Sequence, residues 1–182
     1  MRADARRNYG RLVECAKAAF LERGTGASLE DIARHAGVGI GTLYRHFPSR
    51  VALIDAVFRE EANTLLGLAD GLVDAPEPVD ALLTWLRAVI AYHRAYHGLA
   101  AVLMASGSDS GALTSSIGPI RRAGGALLGR AQRAGAIRAD ADIMDVLRLA
   151  NGIGLAAEKA PDDPDLADRL LRLAMDGLRV RS

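Results

Sequence analysis

From Ser28 to Ser49 the chain reads Ser-Leu-Glu-Asp-Ile-Ala-Arg-His-Ala-Gly-Val-Gly-Ile-Gly-Thr-Leu-Tyr-Arg-His-Phe-Pro-Ser, and one local structure fits it: a short helix, a tight turn and a second short helix. Ser28 stands as an N-cap, with Asp31 three residues on in the reciprocal capping position. Ile32, Ala33 and Ala36 give the first helix an apolar stripe. Gly37 falls where the chain must turn, and glycine accepts a positive φ without a Cβ penalty. In the second helix Leu43 and Phe47, at i and i+4, form an inward face with Ile40 adjoining. Gly41, Thr42, Tyr44, Arg45 and His46 are left to point outward. An inward apolar stripe backed by small, hydroxyl, aromatic and cationic groups suits insertion into a DNA groove. The motif is a helix-turn-helix.

Its flanks extend the pattern. An amphipathic helix is expected over 8–23, with Leu12, Cys15, Ala16, Ala19 and Phe20 on one buried face. After the motif, Pro48-Ser49 opens a helix whose Leu53, Ile54, Val57 and Phe58 can close a small three-helix core. Ala-Phe-Leu-Glu-Arg-Gly at 19–24, Ser-Leu-Glu-Asp-Ile-Ala-Arg-His-Ala-Gly-Val at 28–38 and Gly-Thr-Leu-Tyr-Arg-His-Phe-Pro-Ser-Arg at 41–50 follow in order. In these residues the chain resembles the TetR family of transcriptional regulators, over about its first third.

The resemblance implies roles for particular residues. Gly39, Gly41 and Thr42 let the second helix approach bases closely, with Thr42 bonding a base edge or a phosphate. Tyr44 and His46 contact phosphates, and Arg45 reaches a guanine or the backbone. Ser28 and Arg50 fix phosphates at the starts of their helices, where the positive dipole end helps. Each has a plainer alternative: Ser28 as cap alone, Arg50 solvated, His46 packed beside Phe47, the glycines serving the turn.

A net charge of +1 does not by itself point to nucleic acid, but its distribution does: Arg2, Arg6, Arg7 and Arg11 face only Asp4 in the first eleven residues. The single cysteine, Cys15, rules out an intramolecular disulfide and is expected as a small buried hydrophobe. No signal peptide is apparent, and no apolar run approaches the ~20 residues of a membrane span. No membrane association is expected, and the cytoplasm is the expected compartment.

The helix from 49 is expected to reach about 73, where Asp74-Ala-Pro-Glu-Pro78 breaks it. Residues 1–48 are then the arm and DNA-binding head, 49–75 a long connecting helix, and 76–182 an effector-binding and dimerisation domain. Further helices are expected over 79–97, 112–134, 141–159 and 164–180, with a short apolar segment at 99–105 and a loop at 106–111. Gly118-Pro119 and Gly124-Gly125 are expected to bend or loosen the second of these. No strand alternation and no repeat is seen, so the fold class is all-α.

Trp85, Tyr92, His93, Tyr96, His97 and Met104 cluster in a chain with only 4% aromatic residues. Such side chains combine apolar area with a hydrogen-bonding tip, so Trp85, Tyr92, His93, Tyr96 and Met104 are candidate contacts for an unknown small-molecule effector. The family resemblance implies that an effector binds this domain and changes the separation of the heads. Ile143, Val146, Leu147, Ala150, Ile153, Gly154 and Ala157 form one broad apolar face; Leu166, Leu170, Leu173, Ala174 and Leu178 form another. The resemblance implies a homodimer in which this helix pair from each subunit builds a four-helix interface, suited to a two-fold operator of double-stranded DNA. Residues 142–156 also look like the C-terminal domain of the SbtR-like branch.

Catalytic readings fit poorly. His93 and His97 have the i, i+4 spacing of a metal pair, but Arg94 stands where a metalloprotease-type motif wants Glu. Gly107-Ser-Asp-Ser-Gly111 has Asp109 where a nucleophile elbow needs serine. Gly37-Val-Gly-Ile-Gly41 lacks both the third glycine and the preceding strand of a dinucleotide site. No catalytic residue, metal or cofactor is expected. The expected function is a ligand-responsive, DNA-binding regulator, a repressor in the first reading. A DNA-binding activator, or a metal-assisted hydrolase using His93 and His97, are the alternatives.

Overall fold

Eight helices carry nearly all the regular structure among the residues that the computed structural model describes, 2–105 and 111–180, with side chains at 4–24, 26–96 and 116–180. They are α1 (Arg2–Arg23), α2 (Leu29–His35), α3 (Ile40–His46), α4 (Arg50–Leu72), α5 (Pro78–Ala105), α6 (Gly111–Arg133), α7 (Ile143–Glu158) and α8 (Leu166–Leu178), with a 3-10 turn at Gly24–Gly26. The fold is all-α, and an isolated β-bridge joins Ile137 to Arg179. The chain forms two compact units. One holds the residues up to Glu61 with the segment from Tyr96 to Ser116, the other Ala62–Ala95 with the residues from Ile117 onward.

In the first unit, apolar spacing decides what is buried. Leu12, Val13, Ala16 and Phe20 of α1 are closed off from solvent, as are Ile32, Ala33 and Ala36 of the α2 region. Leu43 and Phe47, and Leu53, Ile54, Val57 and Phe58 of α4, are buried with them. α1 packs on α2, and α2 on α3. Lys17 of α1 pairs with Glu61 of α4, and the hydrogen bond to that carboxylate holds the ammonium above its ordinary pKa. Tyr96 is buried with its ring 5.6 Å from that of Phe58.

In the second unit the core is built on Trp85, which has no exposed surface and donates its indole N–H to the Leu65 carbonyl at 3.0 Å. Leu82, Leu86 and Val89 of α5 join Leu127 and Ala131 of α6, Val146, Ala150 and Ile153 of α7, and Leu171 and Met175 of α8. Gly124 is what lets α6 approach the indole. A Cβ there would lie 2.6 Å from two Trp85 ring carbons and 2.9 Å from Ile143 Cδ1. Asp168 of α8 binds Arg87 of α5 at 2.6 Å and Arg172 at 2.5 Å, and the hydrogen bond from Arg87 holds its carboxyl below the ordinary value. The link at 134–142 is fastened to the chain end: Arg138 N–H donates to Leu178 O at 2.9 Å, and Val180 N–H to Ala136 O at 3.3 Å.

Several expectations are corrected. α1 begins at Arg2, so the basic arm is helical rather than a lead-in to a helix at 8. α5 runs unbroken to Ala105, because after His97 the sequence offers good helix formers and a single Gly98, whose cost of about 1 kcal/mol does not end a helix. Gly124 is a close-approach residue rather than a loosening one, and Pro119 is carried inside α6. Cys15 is half-buried, lining a shallow hollow with Ala19, Ile32 and His35. Ile40 is 36% exposed rather than part of the inward face. The loop expected at 106–111 lies outside the described residues, except for Gly111, which starts α6.

Candidate nucleic-acid interface

The interface is assembled by local rules acting on few residues. Ser28 has extended backbone, and its Oγ accepts the Asp31 N–H at 3.2 Å, as an N-cap should. The reciprocal half of the expected cap is absent. The Asp31 carboxylate instead takes Arg34 at 2.5 Å and Arg23 at 3.4 Å, while the Ser28 hydroxyl donates to Glu30 at 3.1 Å. A Ser28→Ala variant is expected to lose about 1 kcal/mol of stability. Thermal unfolding checks it, and an unchanged midpoint would mean that the cap contributes nothing.

α2 then stops on a Schellman turn. Gly37 has φ +67°, its N–H donates to Arg34 O at 3.0 Å, and the Val38 N–H donates to Ala33 O at 3.0 Å. Gly39 caps α3 with extended backbone, its carbonyl accepting from Thr42 and Leu43 at 2.9 and 3.3 Å. Leu43, fully buried, and Phe47, 3% exposed, anchor the helix to the core. The opposite face is left to solvent. Gly39 and Gly41 are exposed, and a Cβ on either would meet nothing within 4 Å. Tyr44 is 47% exposed and Arg45 is exposed, with one guanidinium nitrogen 3.4 Å from the half-buried Thr42 hydroxyl. His46 is half-buried, its ring centroid 6.1 Å from Tyr9 and 6.2 Å from Phe47.

The structure therefore brings Gly39, Gly41, Thr42, Tyr44, Arg45 and His46 onto one seven-residue helix and its cap. Arg50, the first residue of α4, donates to the carbonyl of Ala27, the residue before Ser28, at 2.5 Å. Sequence reasoning took the arginines at the start of α1 as pointing to nucleic acid but missed Ala5 and Asn8, which line a shallow groove with Thr42, Arg45 and His46. The signal was their i, i+3 spacing, off the buried stripe of α1.

The effector candidates are not gathered in the same way. Trp85 is corrected to a core residue, since its N–H is satisfied and its ring is closed in by Gly124. Tyr92 and His93 are half-buried with ring centroids 5.7 Å apart, Tyr96 is buried against Phe58, and the side chains of His97 and Met104 lie outside those described. Among the described residues, no group of three His, Cys, Asp or Glu is placed to hold a metal ion.

The interface candidates on α7 and α8 also divide. Val146, Ala150, Ile153, Gly154 and Ala157 are buried by their own chain, Gly154 lying against α5 with its Cβ position 3.6 Å from Ile90 O. For these five, the broad face is corrected to an intrachain core. Ile143, Leu147, Leu170, Ala174 and Leu178 are partly buried against that core. Leu173 is 68% exposed, and so, at 46%, is Leu149, which the stripe did not include.

Residues 12–57 match the family of bacterial regulatory proteins described as the tetR family, and residues 77–180, more than half of the chain, match the C-terminal domain of SbtR-like transcriptional regulators. The chain belongs to the TetR family. A TetR transcriptional regulator of Streptomyces coelicolor, SCO0520, is 40% identical with a TM-score of 0.82, over 96% of this chain and 99% of that one. A TetR regulator of Mycobacterium vanbaalenii is 36% identical with a TM-score of 0.78, over 98% and 99%. A curated relative, the HTH-type transcriptional regulator SAB2452 of Staphylococcus aureus, is 40% identical over 67 residues, 36% of each chain. The chain thus spans about a third of the length of the curated relatives it matches. The TetR regulator is a transcriptional regulator with a helix-turn-helix DNA-binding domain, and it is not an enzyme. No helix among the described residues is long and apolar enough to cross a membrane.

Proposed function

We propose that this TetR regulator is a cytoplasmic, homodimeric repressor that a small-molecule effector releases from a two-fold operator. The observation that carries the DNA-reading part is the exposed face of α3, where Gly41, Tyr44 and Arg45 stand out from a helix pinned by Leu43 and Phe47. Thr42 and Arg45 read base edges or the adjoining backbone. Tyr44 and His46 take phosphates, joined by Ser28 and Arg50 at the starts of α2 and α4. Residues 1–48 act as the head, 49–75 as the connection and 76–182 as the effector and dimer domain. Tyr92 and His93 remain the effector contacts to test first, since both are half-buried rather than sealed in the core. Reporter output from the target promoter, with and without the protein, tests repression; higher output with the protein would make it an activator.

The dimer uses the outer surface of α7 and α8. These helices pack on each other, and their exposed faces carry Leu149 and Leu173 with the small residues Gly152, Ala156 and Gly177 between charged ones. A second copy is the occupant, because the same pair presented twice makes a self-complementary four-helix contact. Leu173→Glu is expected to halve the mass measured by light scattering after gel filtration while leaving helicity intact. A variant that keeps the dimer mass would place the interface elsewhere, and a monomeric wild type would remove it.

A further inference from the structure

Arg11 and Arg7, both on α1, have different partners. The Arg11 guanidinium reaches across to α2 and donates to the carbonyl of Ala36, the C-cap residue of that helix. The last carbonyls of a helix lack intrahelical donors and carry the negative end of its dipole, so a cation is well placed there. The same nitrogen, Nη2, occupies the space into which a Cβ on Gly37 would project. Gly37 is thus constrained twice, by its φ of +67° and by the arginine lying over it. By contrast, Arg7 pairs with Asp4 on the exposed side of the same helix. Two residues after Gly37 comes the cap of α3, so whatever holds this turn also sets the direction in which α3 leaves it. Ala5 and Asn8, on the turns of α1 before Arg11, line the groove shared with Thr42, Arg45 and His46.

We propose that Arg11 is a positioning residue for DNA reading: it latches α1 to the α2–α3 turn and thereby fixes how α3 is presented, instead of contacting a phosphate. The proposal rests on the reading of α3 as the DNA-reading helix, and the two parts of the test fail separately.

The test uses full-length wild type, Arg11→Gln, Arg11→Lys and, as a control at a cation assigned to a phosphate, Arg50→Gln. Hydrogen exchange comes first. Arg11→Gln is expected to speed exchange of the Gly37 and Val38 amides by about tenfold or more, the equivalent of one charge-assisted hydrogen bond, with core amides of α4 unmoved. Arg11→Lys, which keeps a cationic donor on a shorter reach, falls between. Salt dependence follows, on a duplex from the gene's own upstream region. Losing a phosphate contact makes the slope of log affinity against log salt shallower by about 0.9. Arg50→Gln is expected to show that change, whereas Arg11→Gln keeps the wild-type slope with a lower affinity. Unchanged exchange would overturn the latch. A shallower slope for Arg11→Gln would return it to the phosphate contacts. Absence of salt-dependent binding by wild type would overturn the DNA reading of α3, and exchange would still decide the latch.

Discussion

Trp85→Ala is expected to destabilise the protein by about 3–5 kcal/mol, the range for removing a large buried aromatic. The indole has no exposed surface, and Gly124 leaves no Cβ between it and the α6 backbone. Alanine would therefore leave a cavity lined by helices that cannot collapse without losing their other contacts. Trp85→Phe keeps much of the volume but leaves the Leu65 carbonyl without its indole donor, so a smaller loss is expected. Denaturation followed by circular dichroism is the measurement, because Trp85 is the only tryptophan and its removal takes the fluorescence signal with it. A loss below about 1 kcal/mol would mean that Trp85 lines an adaptable pocket and not a packed core.

Arg45→Ala is expected to weaken binding to the operator about 10- to 100-fold, in line with the 1–3 kcal/mol of a good base contact, and to relax preference at one position. Thr42→Ala should alter sequence preference at the same position, because the Thr42 hydroxyl lies 3.4 Å from the Arg45 guanidinium and steadies it. The two losses are then non-additive, the mark of groups acting together. Tyr44→Ala, by comparison, is expected to weaken binding to all sequences alike. Titrations of each variant against the operator and single-base variants check this. Equal losses on every sequence for all three would leave α3 as a backbone-binding element alone.

The helix-turn-helix was legible because its signals are local. Ser28 caps, Gly37 turns, and Leu43 with Phe47 share one face; each needs only a few neighbouring residues to decide it. Less legible were the roles that depend on what lies across from a residue. The stripe on α7 is a buried face, as its period indicates, but periodicity does not say whether its own α5 or a second chain covers it. Gly124 looked like a weak point in a helix because its neighbour across the core, Trp85, lies 39 positions earlier in the sequence. Arg11 counted as one charge among four until the carbonyl of Ala36 appeared beside it. Asp31, at the expected capping position, turned out to serve two arginines. Long-range partners, more than residue type, set these roles.

As the reading helix of a regulator, α3 is expected to discriminate between DNA sequences. Fluorescence anisotropy with a labelled duplex from the gene's own upstream region, against the same bases scrambled, over a series of salt concentrations, tests it most directly. A specific regulator retains tight binding to the upstream duplex at moderate salt while the scrambled one is released. Equal binding of both, lost together as salt rises, would contradict sequence reading by α3 at that site.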